Sequence, residues 1–118
     1  MAGVSKITHG GKEIVYIDYR GMSSEEMIDT LKEAEEIIMS EDKQHLQLSN
    51  ISGAFATPEF MKEANEFGKK SKALTDKAAI VGVSGRKKVS LSAYNLIVGG
   101  KLRPLNSEED AKAYLTID

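Results

Sequence analysis

Lys77-Ala78-Ala79-Ile80-Val81-Gly82-Val83-Ser84-Gly85-Arg86-Lys87-Lys88 runs straight into Val89-Ser90-Leu91-Ser92-Ala93-Tyr94-Asn95-Leu96-Ile97-Val98, and the reading of that junction decides the fold. The run from Lys77 to Ser84, ended by Gly85, has the apolar composition of a buried strand. The second stretch fits two periods. Val89, Leu91 and Ala93 alternate as in a strand, whereas Val89, Ala93, Leu96 and Ile97 recur as on one helical stripe. Gly99-Gly100 supplies a helix stop, and strands alternate with helices elsewhere, so a helix is expected.

Upstream, Val4 to Thr8 is a short strand candidate, and His9-Gly10-Gly11-Lys12 offers the positive φ angles of a tight hairpin turn. Glu13 to Tyr19 is a stronger strand, rich in β-branched and aromatic residues. Ser23-Ser24-Glu25-Glu26 reads as a capping box. Met27, Leu31, Ala34 and Ile38 then recur at helical spacing, with Ile28 and Ile37 widening the stripe, which predicts a helix over 24–39. His45 to Ile51 alternates, with Leu46 and Leu48 on one side and His45, Gln47 and Ser49 on the other. The polar side is expected to be wet or interfacial. Thr57-Pro58-Glu59 starts a helix with Phe60, Ala64, Phe67 and Ser71 on one face, weakened late by Gly68. Downstream, Lys101 to Leu105 is a short strand. Ser107-Glu108-Glu109-Asp110 opens a terminal helix with Ala111, Tyr114 and Leu115 inward.

The expected fold is α/β, a single domain over 1–118 with an open mixed sheet. Its order is β-β-α-β-α-β-α-β-α, an antiparallel hairpin followed by right-handed β-α-β crossovers. At 118 residues, 41% hydrophobic and 29% charged, the chain suits one globular core. Cysteine is absent, which excludes disulfides and thiolate metal sites. Met1 to Lys6 lacks the apolar run of a signal peptide, and a cytoplasmic location is the expectation. The net charge of −2 conceals a segregation. Ser23–Asp42 holds eight acids against Lys32 and carries −7, while Lys69–Arg103 holds nine bases against Asp76 and carries +8. Each pole is either a solvated face or a surface that steers a partner of opposite charge.

The segment Lys77–Lys88, the ending Leu102–Leu115 and the element order together resemble the SpoIIAA-like branch of the STAS-like proteins. The resemblance implies an open α/β layer fold, a protein- or small-ligand-binding role and no cofactor. In its anti-anti-sigma members a serine of an Asp-Ser-Ser-Gly loop after the central strand is phosphorylated to switch partner binding. Here that loop is Ser49-Asn50-Ile51-Ser52-Gly53-Ala54-Phe55-Ala56-Thr57. Ser52-Gly53 is the part that matches; no aspartate precedes it and no serine pair occurs.

Ser49, Asn50, Ser52, Gly53 and Thr57 form the first candidate site, at the carboxyl end of a central strand where open α/β sheets bind ligands. The plain alternative is that Thr57 caps and Ser52-Gly53 turns. Ser84, Gly85, Arg86, Lys87 and Lys88 form a second, for an anion or an acidic partner; the alternative is solvated surface charge. The spacing is not that of a P-loop. The predicted helix carries a second apolar stripe, Leu91, Tyr94 and Val98, which must meet the terminal helix, a twin subunit, an apolar ligand or a membrane surface.

His9 and His45 stand isolated, so no metal site is expected. No nucleophile elbow or catalytic triad order occurs, and no catalytic residue is assigned. Aromatics are 6%, and Tyr94 alone interleaves the basic stretch, which argues against nucleic acid. The expectation is a non-enzymatic, cofactor-free regulatory module acting through another protein, as a homodimer, with phosphorylation at the central loop. A carrier of an apolar or lipid-like ligand, similar to CRAL-TRIO proteins, is the alternative. That alternative requires a cavity beneath Leu91, Tyr94 and Val98. Peripheral membrane contact is a weaker option and a transmembrane segment is not expected.

Overall fold

The computed structural model describes residues 3–99 and 102–117. β1 (Val4–His9) and β2 (Lys12–Asp18) form the antiparallel hairpin. Its turn is made by Gly10 and Gly11 at φ +58° and +79°, a pair of positive angles that two glycines accept without steric cost. α1 (Ser24–Met39), β3 (His45–Asn50), α2 (Pro58–Ser71), a 3-10 turn (Lys72–Leu74), β4 (Thr75–Val81), α3 (Lys87–Val98), β5 (Leu102–Leu105) and α4 (Glu108–Thr116) follow. The expected element order is present. The junction after Gly85 enters a helix, which Gly99 ends at φ +68°. The expected contributions of Gly100 and Lys101 lie outside the described residues.

The five strands lie in sequence order, with β2, β3, β4 and β5 parallel. Crossovers of one hand that advance steadily along a sheet put their helices on one face. α1, α2 and α3 accordingly cover one side, where Met27, Leu31, Ala34 and Ile38 meet Val15, Ile17, Phe60 and Phe67. α4 covers the other, packing Ala111 and Leu115 on Ile14, Leu46, Leu48 and Ala79. Ile14 and Leu48 are fully buried, each stabilising the fold by roughly 1.5–3 kcal/mol.

Three local expectations are corrected. β4 begins at Thr75 and ends at Val81 rather than at Ser84, because Gly82 turns the chain at φ +93°. Lys87 and Lys88 belong to the first turn of α3, not to a free turn. The polar face of β3 is not wet: His45 and Gln47 are buried and Ser49 is half-buried, beneath or beside the helical layer. Alternation separates the two sides of a strand but does not say what covers each: the crossover helices lie over the polar side, and α4 over Leu46 and Leu48.

Candidate functional site

Asp18, Asn50 and Val81 stand in register, so β2, β3 and β4 release their loops at one level. Tyr19 N–H donates to Asn50 O at 2.9 Å and Ile51 N–H to Val81 O at 2.9 Å, carrying the ladder one step past the strands. The β3–α2 loop then presses on the β4–α3 turn. A Cβ at Gly82 would stand 2.7 Å from Ser52 Cα, closer than side chains tolerate, so only glycine allows this approach. Lys87 reaches back from α3 and donates from Nζ to Ile51 O (2.8 Å) and Gly82 O (3.3 Å). The two candidate loops are therefore one surface.

Within it, several predicted residues are committed to structure. Asn50 is buried; its Oδ1 accepts Ser52 N–H at 3.0 Å and its Nδ2 donates to Glu108 Oε2 at 2.7 Å. Thr57 caps α2, accepting Phe60 N–H at 3.1 Å, and lies 2.6 Å from the Ser24 hydroxyl at the start of α1. Lys87 serves carbonyl oxygens. Gly53 is exposed at φ +72° and supplies the turn. That leaves Ser52, half-buried with its hydroxyl unpartnered among the described residues, and Ser84, Gly85, Arg86 and Lys88, all exposed. Phe55, which drew no attention in the sequence, is 66% exposed on the same loop.

A polar cluster joined to Asn50 through Glu108 escaped sequence reasoning. Tyr16 donates to Glu108, Arg20 pairs with Asp18 (Nε–Oδ1 2.9 Å), and Arg20 Nη2 lies 3.5 Å from the Tyr16 hydroxyl. Burial, reinforced by the bond to Glu108, pushes the Tyr16 phenol up to about 12. Burial pulls Glu108 upward, but the bonds from Tyr16 and Asn50 outweigh it and hold the carboxyl below its ordinary value. The Arg20 bond likewise lowers Asp18. Asp18-x-Arg20 was a local signal that could have been read. The union of Tyr16 and Glu108, 92 residues apart, had none. His45 is also not isolated: Nδ1 meets Leu74 O at 3.0 Å and Nε2 meets Glu41 Oε1 at 2.9 Å.

The stripes of α3 divide in a definite sense. Val98 is buried and Leu91 and Tyr94 are half-buried, facing inward against the main core. Gly68 lets Tyr94 cross α2 closely; a Cβ there would stand 2.8 Å from Val98 Cγ2. Val89, Leu96 and Ile97 point outward, 74%, 85% and 50% exposed. A cavity of about 350 Å³ lies between α2, α3 and the sheet, lined by Leu91, Tyr94 and Val98 among others. Among the described residues, no helix is long and apolar enough to cross a membrane.

A five-stranded mixed sheet with three crossover helices on one face and a terminal helix on the other is a STAS-like, SpoIIAA-like fold. The solved structure of an anti-sigma-factor antagonist (STAS) domain protein from Planctomyces limnophilus shares it, with a TM-score of 0.66 over 97% of this chain and 98% of that one, at 14% sequence identity. No protein-family model and no curated protein matches the chain.

Proposed function

We propose that this chain is a non-enzymatic binding module acting through protein–protein contacts, with the paired loops and the outer face of α3 as its contact surface. The observation that carries this reading is the locking of the β3–α2 loop to the β4–α3 turn by Lys87 and the Ser52–Gly82 approach. A rigid platform results, with Ser84, Arg86 and Lys88 free at its rim and Phe55 offered as an apolar anchor. No acid occurs between Ser84 and Gly99, so the fitting partner presents an acidic surface. The solved neighbour is described as an anti-sigma-factor antagonist, which supports a role exerted through another protein.

Ser52 is the regulated hydroxyl in this reading. A phosphate there would adjoin Lys87, which holds the neighbouring Ile51 carbonyl, whereas the Thr57 hydroxyl is occupied by its cap. Photo-crosslinking from position 55 in the native cell, with the wild-type chain and an R86E/K88E double variant, tests the reading. The wild type is expected to trap an acidic protein that the variant loses. Identical captures would refute it. Ser52→Asp is expected to change the capture and Thr57→Asp to leave it alone, because aspartate also caps. Sedimentation of the purified chain separates the expected homodimer from this heterologous contact.

A further inference from the structure

The cavity between α2 and α3 has a chemical polarity of its own. Phe60, Ala64 and Phe67 wall it from α2, Leu91 from α3 and Ile80 from β4. Its floor is the polar face of β3. Gln47 is only 6% exposed and donates Nε2–H to Thr75 Oγ1 at 2.7 Å, which leaves Oε1 without a partner among the described residues. The Ser49 hydroxyl beside it has none either. Polar atoms on the floor of a mostly apolar chamber require a polar group on the occupant.

Lys87 supplies the charge at the end where β3 and β4 finish, whereas Lys72, Asp76 and Lys77, which also line the cavity, lie where β4 begins. Lys87 is held by Ile51 O and Gly82 O, and no carboxylate among the described residues lies within ion-pair distance of it. An ammonium has three donors, and two carbonyls leave one for an anion. Ser49 lies at the end of β3, two residues before Ile51, whose carbonyl holds Lys87, so its hydroxyl and the lysine belong to one end of the chamber.

We infer that this cavity binds an amphipathic monocarboxylate of medium chain length, with the hydrocarbon between α2 and α3 and the carboxylate at Lys87 and Ser49. The inference shares Lys87 with the protein-contact reading but concerns the inner cavity rather than the outer surface, and the comparison of acid with alcohol on the wild-type chain tests it without disturbing that lysine. Size follows from volume. A cavity of ~150 Å³ holds benzene, so 350 Å³ takes on the order of 14 non-hydrogen atoms. A saturated ten- to twelve-carbon acid fits that volume.

Calorimetric titration of the purified, delipidated full chain with decanoate and with decan-1-ol tests it. Decanoate is expected to bind one to one and roughly tenfold or more tighter than the alcohol, through charge-assisted hydrogen bonds. Leu91→Trp, which fills the chamber from α3, is expected to weaken decanoate roughly tenfold while circular dichroism stays native. Lys87→Met is expected to bring decanoate down to the affinity of the alcohol. Should that variant melt early, Ser49→Val with the wild-type acid–alcohol comparison decides. Equal affinities for acid and alcohol, undiminished binding to Leu91→Trp, uptake of many equivalents with loss of structure, or no saturable binding at about 1 mM would each overturn the inference.

Discussion

Gly82→Ala probes the contact on which the proposed platform depends. Two costs add at this position. Alanine at φ +93° incurs backbone strain of about 1–2 kcal/mol. Its Cβ at 2.7 Å from Ser52 Cα forces a main-chain displacement, an overpacking cost of about 1–3 kcal/mol. The restricted unfolded chain returns about 0.4–1 kcal/mol. The expected loss is therefore about 1–5 kcal/mol. Gly53→Ala is the matched control, because it too has a positive φ, +72°, but nothing within 4 Å of the new methyl. It carries the strain without the collision. Urea unfolding of both variants should give equal slopes, with Gly82→Ala less stable than Gly53→Ala by about 1–3 kcal/mol, the overpacking part alone. Stabilities within about 0.5 kcal/mol of each other would refute the close approach of the two loops, and with it the rigid platform.

Other perturbations separate the remaining contacts. Gly68→Ala should displace the Tyr94 ring and loosen α3 from α2, lowering stability by about 1–3 kcal/mol and changing tyrosine fluorescence. Glu108→Gln should bring the Tyr16 phenol down from about 12 without restoring its ordinary value, because burial is the larger cause; ring-carbon NMR titration reads this directly. Acid should destabilise the fold through Glu41, which bonds from Lys6 and then His45 hold at about 2. A carboxyl depressed in the folded state contributes fully above its unfolded value, about 4.3, and loses that contribution as pH falls toward 2. Lys6→Met removes the largest cause, so its acid-unfolding midpoint, followed by circular dichroism, should move to higher pH.

The parts of the fold legible in the sequence are those written in short-range chemistry. Ser23 and Glu26 exchange both bonds of a capping box, Ser23 Oγ accepting Glu26 N–H at 3.2 Å while Glu26 Oε1 accepts Ser23 N–H at 2.9 Å. Thr57-Pro58 opens α2 as its residues dictate. The candidate site was legible to a lesser degree. The loops were identifiable because strand ends and helix starts adjoin, yet the fate of each polar atom was not. Asn50 finds its partner 58 residues away in Glu108, and Lys87 finds Ile51 O 36 residues back. No local spacing encodes such pairs. The two stripes of α3 were visible as stripes. Gly68, read only as a weak point of α2, decides which one turns inward, because its missing side chain is what admits Tyr94.

The segregated charge gains meaning once its poles are placed. α2 lies between α1, which carries most of the acidic segment, and α3, which opens with Arg86-Lys87-Lys88. Lys70 and Glu35 bridge at 3.5 Å where the first two helices meet, but α1 and α3 stand two helix spacings apart, roughly 20 Å. That exceeds the screening length of about 8 Å at physiological salt, so neither pole cancels the other. An acidic partner is attracted to the α3 flank and repelled by the α1 flank, which orients it before contact. A twofold dimer through α3 would instead face like charges, and its exposed Val89, Leu96 and Ile97 would have to offset that repulsion. The two assemblies therefore respond oppositely to salt. Adding salt should weaken capture of an acidic partner mainly through a slower on-rate, whereas it should strengthen self-association through α3. Surface-bound kinetics and sedimentation across a salt series measure the two responses, and heterologous binding insensitive to salt would remove charge from the recognition.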